Sequence, residues 1–129
     1  MPASWTYRQS TGVLLRNGTY HARGYSGRDW GKNNPAAEKA PGIGPIPCGR
    51  WRMVDIYDSA NVGPRAIKLD AIDGHAGNDR HERTGRSAFR IHGDSIRAPG
   101  TASHGCIILP RVTRLEMWQS GDHELEVAP

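Results

Sequence analysis

A single phenylalanine and two cysteines are all that this 129-residue chain has of either type, and no stretch of it stays apolar for long. Each scarcity excludes something. Two cysteines cannot build a disulfide framework. No window approaches the ~18 apolar residues that a bilayer-crossing helix needs, so membrane insertion is not expected. The 17 Lys and Arg outnumber the 13 Asp and Glu only slightly and are scattered along the chain. Without a run of about five or six like charges there is no basic arm, and nucleic acid is not an expected partner. The opening residues MPASWTYRQS contain neither a basic leader nor an apolar stretch. The sequence therefore predicts no signal peptide and a chain made soluble in a reducing compartment, so that action outside the cell would need another export route.

What is present points to a β domain. The 16 Gly and 9 Pro make up about a fifth of the chain, more than a helical bundle carries and less than a disordered segment does. The length suits one domain that buries roughly two thirds of its unfolded surface. The net charge of +4 favours an anionic partner, a cell-wall polymer among them. SWTYRQ and VLLRNG flank a Ser-Thr-Gly turn and read as a hairpin, with TYHARGYSG continuing as a third strand. Asn34 before Pro35 caps an expected short helix over AAEKA. RWRMVDIYD (50–58), with Trp51, Met53 and Tyr57 as core candidates, PRAIKLDAI (64–72) and SAFRIHG (87–93) read as strands, as do CIIL (106–109) and HELEV (123–127). PRVTRLEMWQSG (110–121) reads as a helix with Val112, Leu115 and Trp118 along one face. The polar stretch 73–86 is either a lid or a mobile exposed loop. The expected architecture is mainly β, a sandwich or partly closed barrel with one or two short helices and no internal repeat or linker.

The chemistry concentrates in IHGDSIRAPGTASHGCIILP, residues 91–110. Acyl transfer on an amide needs a nucleophile, a base and oxyanion donors. Cys106 offers the sulfur. His92, at a strand end, offers a base that would raise the thiolate fraction through an ion pair. Gly105 lets the chain turn sharply, so that the N–H groups of His104, Gly105 and Cys106 converge. Gly93 lets a carbonyl reach the imidazole and fix its tautomer. Two other readings of the same residues stay open. One is a β-hairpin with a buried cysteine and an incidental histidine. The other is a metal site drawn from His75, His81, His92, His104 and Cys106, although their spacing fits no zinc pattern such as CxxC or HExxH. Cys106 is expected to be a free thiol, and Cys48, in a Pro-Cys-Gly turn, to be structural or incidental.

IHG followed by SHGCI resembles the signature of L,D-transpeptidases. Taken in order, WTYRQSTG, GYSG with GKNNP, GIGPIPCG, GRSAFRIHGDS and SHGCIILP resemble the small L,D-transpeptidase-related effectors that bacteria deliver by type VI secretion, from Trp5 to about Val127. That resemblance implies an L,D-transpeptidase-like catalytic domain spanning residues 1–129. Cys106 would be the nucleophile, attacking the carbonyl after the L-centre of the diamino acid in a peptidoglycan stem peptide. His92 would be base and then acid, and the Gly93 carbonyl would orient it. His104, Gly105 and Cys106 amides would hold the oxyanion, with Ser103 supporting the turn. Water would make the enzyme an L,D-carboxypeptidase, and an amine would make it a transpeptidase or D-amino-acid exchanger. No cofactor and no metal are required. The resemblance also implies export by a secretion machinery, action in the periplasm of a target cell, and a cognate immunity protein.

The chain departs from the larger cell-wall enzymes in two ways. Its His-to-Cys interval is shorter, and Ile108 stands where those enzymes usually carry a polar or basic residue. The substrate grip would then come from Tyr25, Ser26 and Gly27, from Lys32, Asn33 and Asn34, or from Arg90 or Arg97. GYSG and GKNNP are equally readable as turn chemistry. A cysteine peptidase cutting D-Glu to diamino acid bonds is disfavoured, because there the cysteine usually precedes the histidine at a helix start. A non-catalytic wall-binding or secretion-associated module of the same fold is the alternative from another class.

Overall fold

The computed structural model describes residues 4–74 and 77–129. Its strands form one mixed sheet in the order β3-β2-β1-β9-β5-β6-β7-β8-β4. The N-terminal part is a meander, β1 (Trp5–Arg8), β2 (Val13–Arg16) and β3 (Thr19–Arg23), as the alternation and turns predict. β4 (Tyr25–Ser26) follows at once. The long hairpin of β5 (Gly49–Ser59) and β6 (Gly63–Ala71) is the backbone of the sheet. β7 (Arg90–His92) and β8 (Ile107–Ile108) are short, and α1 (Arg111–Gln119) leads into β9 (Glu124–Ala128). β9 lies between β1, to which it runs parallel, and β5.

The strand order settles the expected architecture in favour of a partly closed barrel. β3 and β4 stand at opposite ends of the sheet, yet only Gly24 separates them in the chain. Consecutive Cα atoms are about 3.8 Å apart, so the two ends of the sheet must meet. Gly24 makes this possible, because a Cβ there would fall 1.6 Å from the carbonyl oxygen of Ile108. The interior is filled by Trp5, Tyr7, Trp51, Met53, Ile67 and Met117, all essentially inaccessible. Tyr57, expected in the core, is only half-buried.

Local departures from the sequence expectations have simple causes. Asn34 caps as predicted, its Oδ1 accepting from the N–H of Ala36, but the helix amounts to one 3-10 turn at Pro35–Ala37. Pro41 and Gly42 leave too few residues to propagate it. The predicted strand 87–93 shrinks to β7, because Ala88 takes a left-handed conformation with φ 65°. Helix α1 turns Thr113, Arg114 and Met117 inward and leaves Val112 65% exposed. A buried guanidinium explains the rotation: Arg114 donates to the carbonyls of Leu109, Pro64 and Arg65 at 2.7, 3.3 and 3.1 Å. The polar stretch 73–86 is tied down at several points. His81 is buried and stacks on Trp51 at 5.3 Å, and Arg83 donates twice to the Glu38 carboxylate.

β7 and β8 run parallel, with Ile91 opposite Ile107 and His92 opposite Ile108. A parallel pair needs a crossover of about a dozen residues, and residues 93–106 supply it. The β-hairpin reading of this segment is thereby overturned.

Candidate functional site

Burial fixes which residues of the β7–β8 ladder enter the main core. Ile91 and Ile107 are fully buried in the core, each worth about 1.5–3 kcal/mol. A slip of one residue would turn both out, so the register is held. Arg90 and His92 then share the opposite face, and Cys106, one position before Ile107, joins them.

The turn that carries Cys106 is built by two buried hydroxyls. The Ser103 Oγ accepts from the N–H of Gly27 at 2.9 Å and of Gly105 at 3.1 Å, and donates to the Cys106 carbonyl at 2.5 Å. The hydroxyl's hydrogen-bonding capacity is then fully used. The Ser26 Oγ donates to the Gly105 carbonyl and accepts from the Ile46 N–H, both at 2.8 Å. Gly105 sits at φ 135°, and a Cβ on it would lie 2.4 Å from Nη2 of Arg86. At that φ any side chain is strained, and Arg86 would have to shift to admit one. Of the three N–H groups expected to converge here, that of Gly105 is engaged by the Ser103 hydroxyl.

The thiol and the imidazole have separate surroundings. The Cys106 Sγ donates to the Ala88 carbonyl at 3.7 Å. Burial raises its pKa, with a smaller push from Asp79, while the Arg90 N–H and the guanidinium groups of Arg90 and Arg86 oppose the rise. The sulfur lines a cleft of about 430 Å³ with Arg86, Ala88, Phe89, His104 and Gly105. His92 is buried, and its Nδ1–H donates to the Gly93 carbonyl at 2.8 Å, which leaves Nε2 as the basic nitrogen. Burial lowers its pKa, and Arg114 lowers it further. It lines a smaller cavity of about 280 Å³ with Asn61, Val62, Ser95 and Ala102. Among the described residues the two side chains are not hydrogen-bonded to each other. The ladder explains this: Cys106 lies across from Arg90, two positions from His92. A raised thiol and a lowered imidazole both favour the neutral forms over the ion pair.

The expected substrate-gripping residues are mostly scaffold. Ser26 is fully buried with its hydroxyl engaged, and Gly27 is buried with its N–H on Ser103. Tyr25 donates to Asp94 at 2.5 Å and accepts from the Ala102 N–H at 3.0 Å. Lys32 sits over the Tyr25 ring and donates to the Gly100 carbonyl at 3.1 Å. Asn33 Oδ1 accepts from the Ser26 N–H at 3.1 Å, and Asn34 caps its turn. The turn-chemistry reading of GYSG and GKNNP accounts for these contacts: the two segments brace the crossover from behind. Arg90 differs. Its guanidinium, held by Tyr57 at 2.9 Å and the Phe89 carbonyl at 2.8 Å, stands beside the thiol. His104 is exposed, with Nε2 3.5 Å from Arg28, and Arg97 is exposed on the crossover.

Among the described residues no three His, Cys, Asp or Glu side chains cluster as metal ligands, and His75 lies outside those residues. Both cysteines are free. Burial and the Glu38 carboxylate push the Cys48 thiol up to about 11, which makes it a poor nucleophile. The residue that sequence reasoning missed is Arg86. It is buried against Gly105, and its partners are main-chain carbonyls, which leave no mark in a sequence.

Fold and site together define a small, partly closed β-barrel with a half-buried cysteine held on a serine-braced turn at a parallel strand pair. The chain belongs to the Tlde1 domain family, a type VI secretion effector family, whose model matches residues 20–127. Membership ties it to secretion, to a secretion machinery and to an immunity partner. No curated protein matches the chain. Among the described residues no helix is long and apolar enough to cross a membrane.

Proposed function

We propose that the chain is a cysteine-dependent acyl transferase acting on peptidoglycan stem peptides, as an L,D-carboxypeptidase or L,D-transpeptidase, and that this is its effector activity in a target cell's periplasm. The observation that carries the reading is the β7–β8 register. It puts Cys106 and His92 on one face of adjacent strands, with the imidazole already oriented by the Gly93 carbonyl. Two positions along and one strand across is a Cα separation of about 8 Å, which the two side chains bridge once the thiol turns from Ala88.

In the proposed reaction His92 Nε2 takes the thiol proton as Sγ attacks the carbonyl carbon that follows the L-centre. The carbonyl π electrons move to oxygen, where the His104 and Cys106 N–H groups oppose the charge. Collapse breaks the C–N bond, and His92 returns the proton to the leaving amine. Water then cleaves the thioester to give a trimmed stem, or an amine forms a new peptide bond. A neutral resting pair suits this sequence, because the base accepts its proton during attack. One observation favours the runner-up, a wall-binding module of the same fold: the thiol's hydrogen bond goes to Ala88, not to His92.

Muropeptide mapping of purified peptidoglycan after digestion separates the two. The wild type is expected to shorten or exchange the terminal D-residue of the stem. Cys106→Ala is expected to abolish this with the melting temperature unchanged, because only a sulfur is lost. A covalent carbapenem or muropeptide adduct on Cys106, detected by intact mass, would likewise identify an enzyme. Unaltered muropeptides and no adduct on a folded wild type establish the binder.

A further inference from the structure

Arg86 is a buried cation with no direct ion pair among the described residues; the Glu38 carboxylate favours its charge only without direct contact, against the cost of burial. It is 7% exposed and donates to four carbonyls: Glu38 and Pro45 at 2.7 Å each, Gly44 at 3.0 Å and His104 at 3.3 Å. Carbonyls satisfy its N–H groups but leave the positive charge in place. The nearest acid, Glu38, is taken by Arg83 in a bidentate pair and by the Cys48 N–H at 2.6 Å. A guanidinium buried in this way is costly unless an anion forms nearby. Its Nη2 donates to the carbonyl at 104 and fills the space a Cβ on Gly105, the residue before the proposed nucleophile, would need, and Arg86 and Cys106 line the same cleft.

We propose that Arg86 is a positioning residue that clamps the His104–Gly105 turn to the 38–45 segment and stabilises the Cys106 thiolate as it forms. The inference rests on the proposed nucleophilic role of Cys106, but its test does not. Three charged side chains act on the sulfur, and His104 lines the same cleft. Arg86 and Arg90 favour the thiolate and Asp79 opposes it, while His92 stands across the ladder. Arg86 alone among them also holds the turn. Arginine suits both tasks, since its planar fork spans several acceptors and stays protonated.

The experiment follows alkylation of Cys106 by iodoacetamide against pH in a full-length Cys48→Ser background, where it is the sole thiol. Arg86→Gln is expected to raise the alkylation midpoint by about one pH unit, slowing the reaction at neutral pH about tenfold. Arg86→Lys keeps the charge but cannot span the carbonyls. It is expected to hold the midpoint near the wild-type value while lowering kcat on muropeptides and leaving KM little changed. A folded Arg86→Gln protein with an unmoved midpoint overturns the proposal. So does an Arg86→Lys protein whose midpoint rises by the full unit, because turn geometry would then set the thiol without the charge. If Arg86→Gln fails to fold, the lysine variant alone decides. Alkylation needs no cell wall, so even a protein inert on peptidoglycan reveals whether Arg86 sets the thiol.

Discussion

At the scale of single residues, the site is a set of groups whose burial pushes them toward neutrality. His92 and His81 are both depressed, chiefly by desolvation. A histidine with a depressed folded pKa binds its proton more readily in the unfolded chain. Stability is therefore full above the ordinary imidazole value of 6.5 and falls as pH drops below it. Thermal melts between pH 8 and about pH 5 should show this loss, and His81→Gln should flatten the slope. The acid limb of the pH–rate profile should lie below the ordinary histidine range, because His92 stays neutral there. His92→Ala should cost about 10²–10⁴ in kcat. Full activity of that variant on muropeptides would remove His92 from the mechanism. The Ser-His-Gly-Cys run was legible as a candidate site, since a thiol, an imidazole and a glycine turn suit acyl transfer. The commitment of the Gly105 N–H to Ser103 was not, because it depends on where a hydroxyl points.

At the scale of elements, alternation and turn residues marked every main strand, and the polar stretch 73–86 forms no helix or named strand among its described residues, as its composition predicts. What failed were lengths and faces. The strand at 87–93 shortened because Ala88 adopts a left-handed conformation, and α1 rotated to bury Arg114 in a nest of carbonyls. The polar stretch is held by specific pairs that composition does not display. Glu38, lowered to about 2 chiefly by its hydrogen bond with Arg83, bridges that stretch to the Cys48 turn. Glu38→Gln should cost about 1–2 kcal/mol in urea denaturation and expose 73–86 to proteolysis. An unchanged digestion pattern would show that His81 and Arg86 hold the stretch without it.

At the scale of the whole molecule, closure depends on the one-residue passage from β3 to β4. Gly24→Ala sets a methyl against the Ile108 carbonyl and should destabilise by about 3 kcal/mol or more, measured by urea unfolding. A wild-type midpoint for that variant would mean that the sheet ends are not joined as described. Because β8 carries both that carbonyl and the turn at Cys106, loosening the closure should also lower activity. On the proposed wall substrate, expression directed to the periplasm should be toxic and cytoplasmic expression should not. Cys106→Ala should be harmless in both. Equal toxicity of the wild type in the two compartments would point away from the wall.

By itself the sequence determined the kind of domain and marked the groups proposed to react. Period-two alternation, turn residues and a cysteine following a glycine are local properties, and local sterics act on them wherever the chain goes. Only the tertiary structure decided which neighbours those groups keep. The carbonyls that cage Arg86 come from residues 38–45 and 104. Every residue carries a carbonyl, so such a cage has no signature until the barrel closes and brings those segments to one point.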